Sequence, residues 1–176
     1  KINMIIGLFF SEFGNEMLRL LSSGDACIGS IRKEFLVSAT WTSTDFERLK
    51  RKIDGYDYCL GPDAINLVEL KAYLSKKEGF LLLLLENPVI FEHDSFTDTI
   101  QAFFHVTEEL MHRKDPGNLS YSDKSHLVHD INRGYRRLTL EWVTYMEHLK
   151  EQYPYLFSLA MRTNPFDPEA RAEIND

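Results

Sequence analysis

The sequence predicts an all-α fold, a multi-helix bundle of about six to seven helices with one long helix near the C-terminus. Apolar residues recur at spacings of three and four over long stretches, which is the period of an α-helix. No stretch alternates apolar and polar residues as a half-buried strand does, and Pro and Gly fall between the periodic stretches. The longest periodic stretch runs from Ser122 to Phe157 and continues past Pro154.

Size and charge restrict the function of the chain. Its 176 residues, 44% hydrophobic and 27% charged, indicate one globular domain with a full core. The net charge of -7 argues against a nucleic-acid partner and against an anchor on anionic lipid, because both require clustered Lys and Arg. Cys27 and Cys59 lack the spacing of a disulfide framework or a zinc site, so we expect both to be reduced and partly buried, as in a cytosolic protein.

The N-terminal stretch allows two interpretations. Met4 to Phe10 is an apolar run of seven residues, about a third of the length that spans a bilayer, and the pattern then becomes amphipathic. It is either a helix buried in the core or the cytosolic end of a membrane helix whose upstream part has been cut away. We divide the chain into residues 1–10, which under the second interpretation are the cytosolic end of a truncated membrane helix, residues 11–163, a single helical domain, and residues 164–176, a polar, frayed tail.

Local signals place the middle helices. Thr42 and Asp45 match a capping box, and Trp41 and Phe46 are placed for a hydrophobic staple, so a helix is expected from there to about Asp54. We predict a further helix over 62–76 with two apolar faces, sandwiched between layers. A separate buried helix should follow over 80–87, and a helix capped by Ser95 should cover 96–113.

The long helix has one predicted core face, made by Ile131, Tyr135, Leu138, Trp142, Tyr145 and Leu149. Leu140 falls opposite this face and Val143 falls well off it, so the second half of the helix should be covered on two sides. The cover is either the chain's own tail or another subunit. If it is another subunit, aromatic residues and Arg are typical of the contact, and the interface candidates are Leu140, Val143, Tyr153, Tyr155, Phe157 and Arg162.

Histidines and carboxylates at helical spacing give the sharpest metal hypothesis. Two neighbouring helices that carry such residues can hold a metal, as in di-iron bundles, and the weak candidates are His105, Glu109, His112, His126 and His129. However, the chain has a single Glu-x-x-His where that site needs two, and the helical angles point His105, His126 and His129 away from the apolar faces. We therefore expect neither a metal nor any other cofactor.

Catalytic motifs are absent from the sequence. There is no G-x-S-x-G nucleophile motif and no Gly-rich phosphate loop. We identify no catalytic residue and expect a chain that is not an enzyme.

Several strings resemble a known family: GYDYCLGPDAINL (55–67), LLENP (84–88), EHDSFTD (92–98), AFFHVTEEL (102–110) and EWVTYMEHLKEQYPYLFSLAMRTNPFDP (141–168). Together they resemble the cytosolic C-terminal region of prokaryotic two-transmembrane, pore-loop proteins of the potassium-channel-like type. The resemblance implies a cytosolic regulatory or assembly domain attached to membrane helices, and a homo-oligomer that is a tetramer if channel-like. It supplies no ligand, and no filter sequence of the T-x-G-Y-G kind occurs in this chain.

Two other functions stay open. The chain is alternatively a stand-alone soluble helical domain that binds a small molecule or a protein. The third hypothesis is a metal-dependent enzyme built on the bundle.

Overall fold

The structure is a computed structural model that describes residues 2–175, and over that range it contains helices and no strands. The all-α prediction is therefore confirmed. The α-helices are α1 Ile2–Phe9, α2 Asn15–Gly24, α3 Ser43–Asp54, α4 Leu67–Leu85, α5 Asp94–Met111, α6 Tyr121–Gln152 and α7 Pro154–Arg162. Short 3-10 turns lie at Ile28–Ser30, Arg32–Phe35 and Pro88–Glu92.

The first two helices form one continuous rod. A π-helical turn, Phe10–Gly14, joins α1 to α2 without leaving the helical backbone conformation. From Phe9 onward the rod buries one apolar face in the core, which fits the interpretation as a core helix. In the first two turns, by contrast, Met4 is 78% exposed and Leu8 is 50% exposed. No helix within residues 2–175 combines the length and the apolar character needed to cross a bilayer.

Helix α3 begins as predicted. The backbone N–H of Thr42 donates to Asp45 Oδ2 at 2.7 Å, which completes the capping box. The rings of Trp41 and Phe46 meet edge to face with centroids 5.1 Å apart, which forms the expected staple. These contacts are local in sequence, and each satisfies or shields the exposed amides of the first turn.

The region 62–87 differs from the prediction. One helix, α4, covers most of the two expected segments and begins at Leu67, where the Asn66 side chain accepts from the amides of Val68 and Glu69. Gly79 does not interrupt this helix, because a single Gly costs only about 1 kcal/mol and the Leu-rich run after it favours helix. The helix is also not sandwiched, since Val68 and Leu83 are exposed.

Helix α6, 32 residues long, lies at the centre of the bundle. It packs against α5 on one side and α3 on another, and α4 packs on the outside of α5. The predicted core face is buried at Ile131, Tyr135, Leu138, Trp142 and Leu149, while Tyr145 is half-buried. Where α5 and α6 cross, Gly134 faces the Phe103 ring so closely that a Cβ at this position would stand 2.9 Å from Phe103 Cζ.

The chain's own elements cover much of the second side of α6. Val143 and Phe157 are buried within the chain, whereas Leu140 is 44% exposed. Helix α7 begins at Pro154, directly after α6, and contacts α6.

The tail is ordered further than its composition indicates. Three residues at the start of the tail are buried: Asn164, Pro165 and Phe166. The prediction of a frayed segment that begins at Asn164 is therefore wrong. The Phe166 ring stacks on Phe35 with centroids 4.0 Å apart, and Asn164 Nδ2 donates to the Phe35 carbonyl oxygen at 2.8 Å.

The expectation of reduced cysteines is also wrong. Cys27 and Cys59 form a disulfide, with their Cα atoms 5.4 Å apart. The buried Asp25 explains how two residues separated by 32 positions meet: its Oδ1 accepts from the backbone N–H of Cys27 at 3.1 Å and of Cys59 at 3.0 Å. This shared acceptor is a tertiary feature, so the local sequence does not reveal it.

Candidate functional site

Two places on the molecule combine accessibility with unusual chemistry. The first is a cluster of His105, Glu109, His126 and Asp130 between α5 and α6, called here the His–carboxylate cluster. The second is an apolar cleft between α1, α6 and α7, called the α1 groove.

The His–carboxylate cluster arises from the same spacing on two helices. His105 and Glu109 are four residues apart on α5, and His126 and Asp130 are four residues apart on α6. Residues at this spacing project from one side of a helix, one turn apart. Since α5 packs directly on α6, the two pairs face each other across the contact.

The four side chains alternate nitrogen and oxygen at short distances. His105 Nε2 lies 3.2 Å from Asp130 Oδ2 and 3.6 Å from Glu109 Oε1. His126 Nε2 lies 3.5 Å from Glu109 Oε1 and 3.7 Å from Asp130 Oδ2. One ligand atom each from His105, Glu109 and Asp130 also lies within 4.8 Å of the other two.

Asp130 is the most unusual member of the cluster. It is 4% exposed, yet its Oδ2 accepts no hydrogen bond from any described residue. His105 Nε2 is near enough, but its hydrogen-bond geometry toward this oxygen is not satisfied. Buried carboxylate oxygens without a donor are rare, because desolvation of the charge is then uncompensated.

Two arginines hold the outer oxygens of the cluster's carboxylates. Arg113 Nη1 donates to Glu109 Oε2, and Arg133 Nη2 donates to Asp130 Oδ1 at 3.3 Å. Arg113 also binds Asp123 through two hydrogen bonds of 2.7 and 3.1 Å. Hydrogen bonds from Arg113 lower the pKa of both Glu109 and Asp123, so these carboxyl groups are ionised at neutral pH.

The other two weak metal candidates lie outside the cluster. His129 is exposed on α6, as its helical angle predicts. His112 is exposed at the end of α5, where its Nδ1 lies 2.8 Å from the Glu108 carbonyl oxygen. The structure thus brings together His105, Glu109 and His126 of the predicted five, and it adds Asp130. The repeat of the His–x–x–x–carboxylate spacing on adjacent helices was the sequence signal for this grouping.

The α1 groove has a volume of about 890 Å³. Its walls are largely apolar and include Met4 and Leu8 of α1, Tyr153, and Leu156 and Leu159 of α7. The Nε2 of His148, in the wall on α6, is buried without a hydrogen-bond partner among the described residues. The groove is therefore a largely apolar surface that the chain itself leaves uncovered.

The interface candidates divide into covered and uncovered residues. Leu140, Tyr153 and Tyr155 are exposed and remain available to a partner. Val143 and Phe157 are already buried by the chain itself. Arg162 is half-buried and donates to the Ala172 carbonyl oxygen of the tail.

The surroundings of Asp25 form a third cluster, which is structural. Tyr56 and Tyr135 donate to Asp25 Oδ2 at 2.7 and 3.0 Å. Burial, together with Asp25, raises the pKa of both phenols, so they stay neutral donors. Cys27 and Cys59 are near this carboxylate, but their sulfurs are bonded to each other and hold no metal in this state.

Comparison with known proteins identifies the family. Residues 1–162 match the family described as "Uncharacterized protein MJ1433, C-terminal helical domain". The chain belongs to this family. Uncharacterized protein MJ1433 of Methanocaldococcus jannaschii is 42% identical over 167 residues, which cover 95% of this chain and 67% of that protein. No solved structure gives a significant match. The whole His–carboxylate cluster lies within the region that matches the MJ1433 C-terminal domain.

Proposed function

We propose that this chain is a regulatory or assembly domain of an ion-channel-like membrane protein, on the cytosolic side as the resemblance implies. The observation that carries the proposal is the uncovered apolar surface at the start of α1, where Met4 and Leu8 are exposed beside the α1 groove. Large apolar side chains that remain exposed in a group commonly mark a contact with another protein or a membrane. The resemblance of five sequence strings to potassium-channel-like proteins supports a contact with membrane helices or with other subunits.

The rod of α1 and α2 gives the domain a way to respond to a membrane helix. A helix that enters at Ile2 would run without a break into the π-helical turn, where Phe9, Phe10 and Phe13 are buried. Phe10 stacks on Tyr145 of α6 with centroids 4.9 Å apart. Displacement of the rod would therefore change its contacts with the central helix α6. The equilibrium would favour the position of the rod in which these contacts are more stable.

In the proposed assembly, the α1 groove is covered by a second copy of the chain. Subunits of an ion-channel-like protein surround a central pore, so the elements closest to the pore helices meet their copies. Helix α1 is that element under this proposal. A second copy would cover apolar side chains from α1 and α7 that the chain leaves exposed, including Leu8 and Leu159.

The open reading frame upstream of Lys1 tests the proposal directly. We expect it to encode two membrane helices and a pore loop immediately before Lys1. Sequencing of the gene and its flanking region is the measurement. A start codon just before Lys1, or an unrelated soluble domain in that place, would overturn the attachment to a channel.

A further inference from the structure

We propose that the His–carboxylate cluster binds one divalent transition-metal ion of the zinc class. The ligands come from His105, Glu109 and Asp130, which each place one ligand atom within 4.8 Å of the other two, and His126 lies beside them. This inference goes beyond the proposed function and does not depend on it, because it concerns the contact between α5 and α6 rather than α1.

The distances among His105, Glu109 and Asp130 are close to those between three ligands of such an ion. Zinc binds imidazole nitrogen and carboxylate oxygen at about 2.0–2.2 Å, so neighbouring ligands of a tetrahedral ion stand roughly 3.3–3.6 Å apart. His105 Nε2 lies 3.2 Å from Asp130 Oδ2 and 3.6 Å from Glu109 Oε1. An imidazole with two carboxylates suits a borderline first-row ion better than Ca²⁺ or Mg²⁺, which prefer oxygen ligands alone.

Asp130 supplies an independent reason for a ligand. Its Oδ2 is buried and faces the imidazole nitrogens, but it has no hydrogen-bond donor. If the cluster bound no metal ion, an imidazole N–H would be expected to donate a hydrogen bond to this oxygen. A cation between His105, Glu109 and Asp130 would instead satisfy Oδ2 together with the lone pair of the His105 imidazole.

The surroundings resemble the outer support of a metal site. Each carboxylate gives one oxygen to the cluster and the other to an arginine, which fixes its orientation. Glu109, Asp123 and Asp130 carry three negative charges, and Arg113 and Arg133 carry two positive charges. The site is thus net negative, by one charge, before a cation enters.

Three protein ligands leave a four-coordinate zinc-class ion one position for water. His105 is about half-exposed, so an ion can reach it from solvent. Because His105 and Glu109 lie on α5 and Asp130 lies on α6, the bound ion would fasten these two helices to each other. The expected effect is stabilisation of the fold.

Metal titration of the EDTA-treated chain tests the proposal. We expect Co²⁺ to bind with one equivalent per chain and to give the visible absorption of a low-coordinate site, and Zn²⁺ to displace it. His105→Ala and Asp130→Asn should each weaken binding by on the order of 100-fold or more, because loss of a residue that merely orients a ligand already costs 10–100-fold. His129→Ala, on the same helix but outside the cluster, is the matched control and should bind as the parent does.

A second readout separates ligand loss from misfolding. Zn²⁺ should raise the melting temperature of the parent and of His129→Ala, and leave that of His105→Ala unchanged. His105 is half-exposed, so this variant should keep its helical circular dichroism even if Asp130→Asn does not. Absence of stoichiometric binding to the parent, or equal loss in His129→Ala, would overturn the proposal. Full binding by folded His105→Ala would overturn it as well.

Discussion

Asp25 is a buried carboxylate whose two oxygens accept four hydrogen bonds. Two donors are the hydroxyls of Tyr56 and Tyr135, and two are the backbone amides of Cys27 and Cys59. The carboxylate thus joins the end of α2, the loop before α4 and the central helix α6. All four donors are uncharged, so the hydrogen bonds that compensate the burial of this carboxylate come from neutral groups.

Replacing Asp25 with Ala is expected to destabilise the fold by about 3–5 kcal/mol. The substitution leaves buried donors without an acceptor, and each such group costs roughly 1–3 kcal/mol, with partial relief from water or rearrangement. Guanidinium denaturation under oxidising conditions measures the loss. Asp57→Ala, at an exposed position nearby, is the control and should be nearly neutral. A loss below about 1 kcal/mol for Asp25→Ala would contradict the role of this carboxylate.

Single residues also show what sequence reasoning missed at the candidate site. Helical angles correctly placed His129 on the wet side, since that depends on α6 alone. The same angles did not show that His105 and His126 would meet two carboxylates at the edge of the α5–α6 contact. The burial of Asp130 depends on the partner helix α5, which no pattern within α6 reveals.

At the scale of elements, the short-range features were predicted and the long-range ones were not. The capping box and staple of α3 involve residues within six positions of one another, so the sequence carries the whole signal. The sequence predicts two helices where the structure has the single helix α4. The difference depends on whether Gly79 ends a helix, and amino-acid composition indicates this only weakly. The disulfide crosses 32 positions and could not be seen in local spacing.

That disulfide should contribute measurably to stability. Closing a loop of 32 residues removes entropy from the unfolded chain, and the loop-closure relation gives about 3–4 kcal/mol. We expect Cys27→Ser combined with Cys59→Ser to lower the free energy of unfolding by about 2–4 kcal/mol. Denaturation of the double variant and of the parent with and without reductant measures it. The reduced parent should match the double variant, and no change upon reduction would show that the bridge is not formed in solution.

On the scale of the whole molecule, the chain closes on itself through its tail. Phe166 packs on Trp142 of α6 and on Phe35 of the 3-10 turn, and Arg32 Nε donates to the Phe166 carbonyl oxygen at 3.1 Å. The sequence predicted the all-α class and the central helix, because long periodic stretches dominate both. It did not predict this closure, since one aromatic residue among prolines and acids carries no periodicity.

The whole-molecule prediction concerns assembly. If a second copy covers the α1 groove, the chain should form oligomers that Leu159→Glu dissociates, because a charge would be buried without a partner. Light scattering and native mass spectrometry over a range of concentrations measure the mass.

Two comparison variants locate the surface. Leu83→Glu, at an exposed position on α4, should leave the oligomer intact. Leu140→Glu tests the interface that the helical angles of α6 predict. A parent chain that is monomeric at every concentration would contradict assembly through this domain, and dissociation by Leu140→Glu alone would place the contact on α6 instead.

The close approach at Gly134 has a consequence for the neighbouring cluster. With no Cβ there, the backbone of α6 comes against the Phe103 ring, and Asp130 lies one helical turn before Gly134 while His105 follows Phe103 by two residues. The distance between the axes of α5 and α6 therefore sets the distance between the ligands of the cluster. Ion affinity would then depend on the interhelical distance, and by thermodynamic reciprocity a bound ion would oppose separation of the two helices.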